Sequence, residues 1–186
     1  VHELVSRGRY PYQSVLHQWS DEDDAQVSAA MARTHVDDLA RRRVAELSGG
    51  QRQRVWIAMA LAQQTRVLLL DEPTTYLDLA HQVEVLDLCR ELNQALATTV
   101  VAVLHDLNQA CRYADRMIAM RDGQIVLEGP PAQVMTAETV GQVFGLHVEI
   151  HPDPVTGTPM VIPAAPRTPQ QSVWPLISDV PGPDPD

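Results

Sequence analysis

Two short apolar runs on either side of a long stretch with helical periodicity constrain this chain more than any other feature of its sequence. Residues 67–70 are entirely apolar, residues 98–104 are rich in β-branched side chains, and Leu79–Leu96 repeats apolar residues at helical spacing. A strand, a crossover helix and a second strand form a parallel pair whose carboxyl ends lie at the same edge of the sheet. The sequence therefore predicts an α/β fold, a parallel sheet with flanking helices, in which residues 67–70 form a buried strand.

The rest of the sequence divides the chain into three parts. Residues 1–46 are mostly polar with helical periodicity, and Ser20 before the acidic run 21–24 indicates a helix start, so this part is predicted to belong to a helical subdomain. The alternative, a metal site in the acidic run, lacks the glycine and closing glutamate of a calcium loop. Residues 47–162 form the core, with a hairpin at Asp122-Gly123 and one or two short helices within 130–144. Residues 163–186 hold seven of the fourteen prolines, which predicts a disordered or extended tail.

The charge balance disfavours partners that are themselves strongly anionic. The chain contains no lysine, and its fourteen arginines face 24 acidic residues, giving a net charge of −10. Attraction to nucleic acid is therefore not expected. No apolar run approaches the ~20 residues of a membrane-spanning helix, no signal segment is visible, and the two cysteines lack metal-ligand or disulfide spacing. These features favour the reducing cytoplasm.

Four residues, Ser48, Gly49, Gly50 and Gln51, suit the start of a helix that can receive an anion. Ser48 and Gln51 have the spacing of a capping box. The two glycines allow a phosphate to approach the backbone closely, and the free amides at a helix start favour negative charge. The alternative is a well-capped helix without a ligand.

Polar residues follow both predicted strands. Asp71 and Glu72 end the first strand at the edge of the sheet where ligands bind, and suit a division of labour in which Asp71 holds magnesium, commonly through water, and Glu72 orients or deprotonates a water molecule. The alternative is a surface loop after a core strand. His105 follows the second strand at the same edge, although a lone histidine is more often structural. Asp78 is predicted to be the N-cap of the next helix.

The sequence around these residues resembles that of the ATP-binding cassette (ABC) transport ATPases. Residues 47–51 read Leu-Ser-Gly-Gly-Gln, which matches that family's signature sequence letter for letter, and residues 67–72 look like its Walker B strand. The resemblance covers nearly all of residues 1–162. It implies the C-terminal portion of a P-loop NTPase fold and an ATPase that uses ATP and Mg²⁺.

The resemblance also implies roles for individual residues. Glu72 and His105 would be catalytic, with His105 at the position of the switch histidine that bridges the terminal phosphate and the general base. Asp71 would be the metal ligand, and Asp78 would lie in a loop at the dimer interface. Contacts with the nucleotide are implied for Ser48, Gly49, Gly50, Gln51, Asp71 and Asp78.

Three further segments, residues 8–13, 76–82 and 105–110, look like those of the ferric-citrate and hydroxamate uptake subunits, within a wider likeness to siderophore and cobalamin importers. This resemblance implies a second ATPase subunit, a transmembrane permease and, indirectly, a substrate-binding protein as partners. It places the protein in the cytoplasm, on the inner face of the cell membrane. The chromosome-maintenance and DNA-repair ATPases share some of these motifs, but they would favour basic faces and long coiled coils.

The sequence lacks the phosphate-binding loop of the family, and the family's adenine-stacking aromatic residue and magnesium-sensing glutamine loop normally also lie before the region that corresponds to Val1. The phosphate-binding loop has the pattern G-x-x-x-x-G-K-[ST], which requires a lysine, and the chain contains none. We therefore expect a piece of a full ATPase that starts after this loop and is inactive by itself. The alternative is a non-catalytic subunit that lends its signature motif to a complete partner.

Overall fold

The structure is a computed structural model that describes residues 1–14 and 19–164. Most of the predicted tail, from residue 165 onward, lies outside the described residues. The α-helices are α1 (His2–Ser6), α2 (Asp21–Arg33), α3 (Gly49–Leu61), α4 (Leu79–Leu96), α5 (Leu107–Tyr113), α6 (Pro131–Val134) and α7 (Ala137–Phe144). The strands are β1 (Val67–Asp71), β2 (Thr99–Val103), β3 (Met117–Arg121), β4 (Gln124–Gly129), β5 (Val148–Pro152) and β6 (Pro159–Pro163). Short 3₁₀ helices span Arg7–Tyr12, Asp37–Leu39 and Val44–Glu46.

Strands β1 and β2 form the predicted parallel pair, with α4 as the crossover between them. The register places Leu68 beside Val100 and Asp71 beside Val103, so both strands end at the same edge. Helix α4 has the predicted bounds, and Asp78 caps it by accepting a hydrogen bond from the amide of His81. The α/β fold class is confirmed.

The prediction that residues 67–70 form a buried strand is wrong for one of its two faces. Leu68, which is 4% exposed, packs with the side chains of α3 and α4, whereas Leu69 on the opposite face is 72% exposed. Among the described residues both helices cover the same side of the pair. The other side is a surface that we call the open sheet face; its apolar members are Val67, Leu69, Val101 and Val103.

The N-terminal helices α1 and α2 pack against α3 around a separate apolar core that includes Val5, Val27 and Val55, all fully buried. A buried ion pair, Arg9 Nε to Asp23 Oδ1 at 2.8 Å, lies beside this core. Ser20 caps α2 through a capping box with Asp23, so the acidic run is the first turn of a helix, as predicted.

Two hairpins complete the described fold. The turn between β3 and β4 is the predicted one, and Asp122 and Gly123 both have positive φ, as a two-residue hairpin turn requires. The β5–β6 hairpin was not predicted. It is held against α5 by Asn108, whose side chain bonds to the backbone of Val161. No helix of the described residues combines the length and apolar character that crossing a membrane requires.

Candidate functional site

The end of β1 brings two carboxylates to the edge of the sheet. Asp71 is the last residue of β1, and Glu72 leaves the strand with a φ of +49°. A residue other than glycine in this left-handed region costs on the order of 1–3 kcal/mol, and such strain concentrates at functional sites. Five other described residues that are not glycine, including His35 and Ala97, also have positive φ, so it is the contacts of its side chain that distinguish Glu72.

The side chain of Glu72 is held by two hydrogen bonds. Nε2 of His105 lies 2.8 Å from Oε1, and the hydroxyl of Thr75 donates to Oε2 at 3.1 Å. Because an ionised carboxylate only accepts hydrogen bonds, Nε2 of His105 carries the proton in this contact. These two hydrogen bonds lower the pKa of Glu72, and the bond from His105 has the larger effect. Glu72 is therefore ionised at neutral pH.

This geometry confirms the predicted convergence of Glu72 and His105 at one edge of the sheet. Both side chains are accessible to solvent, since Glu72 is 41% and His105 is 69% exposed. An ionised, accessible carboxylate beside a histidine can accept a proton from a water molecule or orient it. Thr75 is a member of the site that sequence reasoning missed, although its hydroxyl three residues after Glu72 was a visible signal.

The start of α3 forms the second part of the site. Ser48 Oγ accepts a hydrogen bond from the amide of Gln51 at 3.2 Å, and the amide of Ser48 donates one to Oε1 of Gln51 at 3.1 Å. The predicted capping box is confirmed. The first amides of a helix lack intrahelical partners, so Gly49 and Gly50 present N–H groups at the positive end of α3. This helix start can therefore receive an anion.

The two glycines also have a packing role that the sequence did not reveal. A Cβ atom at Gly49 would lie 3.0 Å from Cδ2 of Leu77, and one at Gly50 would lie 2.3 Å from Cδ2 of His81. The start of α3 is thus pressed against residues 73–78 and the first turn of α4. We call residues 73–78 the connecting loop, because it runs from Glu72 to this contact.

His81 contacts Asp78 as well as Gly50. Its Nδ1 lies 2.7 Å from Oδ1 of Asp78. Hydrogen bonds from the backbone and ring of His81 lower the pKa of Asp78. Asp78 is therefore the N-cap of α4, as predicted, and is also tied to the residue that packs on Gly50.

The site offers two kinds of polar group, carboxylate oxygens at the end of β1 and backbone amides at the start of α3. Within residues 1–14 and 19–164, no group of three or more His, Cys, Asp or Glu side chains is placed to hold a metal. Asp71 and Glu72 offer carboxylate oxygens, and magnesium commonly completes its shell with phosphates and water. The amides at the start of α3 offer hydrogen bonds to a phosphate.

Comparison with known proteins gives consistent matches. The family model described as "ABC transporter" matches residues 3–75. The achromobactin transport ATP-binding protein of Dickeya dadantii is 56% identical over 171 residues, 92% of this chain. The ferric enterobactin transport ATP-binding protein of Escherichia coli is 54% identical over 163 residues, 88% of this chain. The chain spans 64% and 60% of the length of these two relatives.

A solved structure is similar to the same part of the chain. It is described as an inward-facing conformation of a metal-chelate type ABC transporter, and it superposes with a TM-score of 0.80 at 29% sequence identity. The match covers 88% of this chain and 66% of the other. The arrangement of helices and strands described above is thus that of the matching part of this ABC transporter structure.

Proposed function

This chain belongs to the ABC transporter family, and from that premise we propose that it is part of the ATP-hydrolysing subunit of an importer that energises uptake of iron–siderophore complexes. The observation that carries the proposal is the Glu72–His105 pair at the end of β1, 2.8 Å apart. A carboxylate held beside a histidine at this edge of a parallel sheet suits activation of water for attack on a phosphate.

Each residue of the site receives a role in this proposal. Glu72 accepts a proton from the attacking water or orients it, and His105 holds Glu72 and reaches the terminal phosphate. Asp71 is the residue of this chain that would hold magnesium, usually through water. Magnesium, when bound, neutralises negative charge on the phosphates.

The start of α3 is proposed to serve the nucleotide of a second ATPase subunit. Ser48, Gly49, Gly50 and Gln51 would contact its terminal phosphate, and Asp78 would lie where the two subunits meet. Residues 1–46 are assigned to a helical subdomain and 47–162 to the catalytic core. The helix start is available for this role because its amides lack intrahelical acceptors.

The cargo and partners are inferred from the relatives. Two of them carry names that refer to achromobactin and ferric enterobactin transport. We infer a ferric siderophore as the cargo, a transmembrane permease as a partner, and a position on the inner face of the membrane. A substrate-binding protein would act on the permease.

The test is a chimera in which this chain's aligned residues replace the 163 residues that they match in the E. coli protein. We expect the purified chimera to hydrolyse ATP and to restore growth on ferric enterobactin to a strain without that protein. A chimera that folds and binds ATP but never hydrolyses it would contradict the catalytic proposal and favour a subunit that only lends its signature motif.

A substitution at Ser48 separates the proposed role from simple capping. Loss of the cap alone costs about 1 kcal/mol of stability. Ser48→Arg should also block hydrolysis while ATP affinity of the monomer is retained, because the arginine obstructs the approach of a second subunit. Ser48→Ala is the control that removes the cap without bulk, and a fully active Ser48→Arg chimera would refute the assignment.

A further inference from the structure

Two glutamine side chains form a continuous hydrogen-bonded path between the connecting loop and α5. Nε2 of Gln109 donates to Oε1 of Gln82 at 2.7 Å, and Nε2 of Gln82 donates to the carbonyl oxygen of Leu77 at 2.9 Å. We call these three residues the glutamine relay. It joins segments that are 27 or more residues apart in the sequence.

Each end of the glutamine relay is hydrogen-bonded next to a residue of the candidate site, Asp78 at one end and His105 at the other. The amide of Gln82 donates to the carbonyl of Asp78 at 2.9 Å as the first backbone bond of α4, and its side chain adds the bond to Leu77. At the other end, the amide of Gln109 donates to Oδ1 of Asp106 at 3.0 Å, next to His105. The relay therefore ends at Leu77, next to Asp78, on one side, and on the other at Gln109, whose amide is bonded to Asp106, the residue after His105.

A second contact joins the same two segments. His105 meets Glu72 at the start of the connecting loop, and the relay meets Leu77 near its end. Two attachments hold a segment in position and in orientation, whereas a single contact leaves rotation free. A displacement of the connecting loop must therefore be shared with the start of α5.

We propose that Gln82 and Gln109 are positioning residues that couple the connecting loop to His105, so that contact of a second subunit with the loop sets the position of the histidine. This inference rests on the proposed function, because only then do the loop and His105 act in hydrolysis. Neither glutamine has to touch the nucleotide.

The burial of Gln109 supports a role beyond packing. Gln109 is 8% exposed, and its Oε1 has no hydrogen-bond partner among the described residues. A buried acceptor without a partner is unfavourable, and an apolar side chain of the same length would remove it. Packing alone would therefore accept a methionine at this position.

The first experiment uses the full 186-residue chain and needs no enzymatic activity. Gln82→Met should move the NMR signals of the His105 ring, and Gln109→Met should move the amide signals of residues 76–78, although among the described residues no hydrogen bond joins either glutamine directly to the affected group. The double variant should shift them no further than either single variant. Gln94→Met, on the exposed side of α4, is the matched control. Shifts confined to immediate neighbours would overturn the proposal.

The second experiment measures turnover in the chimera described above. Either Met variant should lower kcat by up to about 100-fold, because small misplacements of catalytic groups have effects of that order. The KM for ATP and the thermal stability should match those of Gln94→Met. A kcat equal to that of Gln94→Met would also overturn the proposal. An inactive unsubstituted chimera would contradict the proposed function instead, and the NMR result would still decide whether the relay couples the two segments.

Discussion

At the scale of single residues, Glu72 combines strain, ionisation and two hydrogen bonds. Glu72→Gln keeps the size of the side chain but removes its capacity to accept a proton. In the chimera we expect ATP binding to be retained and hydrolysis to fall by roughly 10²- to 10⁴-fold, the usual contribution of a general base. Equilibrium binding and steady-state phosphate release on one preparation provide the measurement. Near-normal turnover would remove Glu72 from this role.

Asp153 gives the clearest dependence of stability on pH. Its carboxylate accepts hydrogen bonds from Arg112 at 2.6 Å and from the amide of Val155, and these bonds lower its pKa from 3.8 to about 2. A carboxyl whose pKa is lowered by folding stabilises the fold above its ordinary pKa, and the stabilisation is lost as the pH falls toward the folded value. The window is therefore between about pH 4 and pH 2.

Asp153→Asn should consequently lower the free energy of unfolding at pH 7 and flatten its fall between pH 4 and pH 2. Urea unfolding of the chain across this range is the measurement, with Asp122→Asn at an exposed hairpin turn as the control. An Asp153→Asn variant with the same acid limb as the unsubstituted chain would show that the Arg112–Asp153 bond does not contribute.

At the scale of elements, the contact between the start of α3 and α4 leaves no room for a side chain at Gly50. Alanine is a better helix former than glycine by about 1 kcal/mol. At Gly50 the added Cβ would lie 2.3 Å from the ring of His81, and overpacking of this kind costs about 1–3 kcal/mol. Gly50→Ala should therefore be destabilising on balance.

Two further variants test this explanation by thermal unfolding. Gly49→Ala should be tolerated better, because the nearest atom is the flexible end of Leu77 at 3.0 Å. Adding His81→Ala to Gly50→Ala removes the ring and should recover part of the loss. If Gly50→Ala raised the melting temperature, helix propensity would outweigh the contact.

The sequence predicted the elements whose signals are local and missed those that depend on distant contacts. Helix α4, the β3–β4 turn and the caps at Ser20, Ser48 and Asp78 follow from residues within a few positions of one another. The β5–β6 hairpin could not be predicted in this way, because Pro152 ends β5 and Pro159 and Pro163 stand at the two ends of β6, and prolines argue against a strand. Its stabilising contact comes from Asn108, 53 residues away from Val161.

The same distinction holds within the site. The sequence placed Glu72 and His105 at one edge of the sheet, because each residue follows a predicted strand and parallel strands bring their carboxyl ends together. The contact of His81 with Gly50 and the bond between Gln82 and Gln109 are tertiary contacts between helices. No periodicity in the sequence indicates which polar side chains on two helices will meet.

At the scale of the whole molecule, the 186 residues contain the Glu72–His105 pair, proposed to be catalytic, but no lysine for a phosphate loop. The chain by itself should therefore bind magnesium ATP weakly or not at all and show no turnover, since its net charge of −10 also repels the nucleotide. Calorimetric titration and phosphate release provide the measurement. Micromolar affinity with steady turnover would contradict this expectation.

The open sheet face has a colloidal consequence. Exposed apolar side chains such as Leu69 and Val101 favour association of two chains through this face, whereas the net charge of −10 makes the chains repel each other. The Debye length shrinks from about 30 Å at 0.01 M salt to about 8 Å at 0.15 M, so added salt screens the repulsion that keeps two such chains apart. We expect the second virial coefficient from static light scattering to change from positive to negative as salt is added. Leu69→Thr should move that change to higher salt, and an identical salt response of this variant would show that the attraction arises elsewhere.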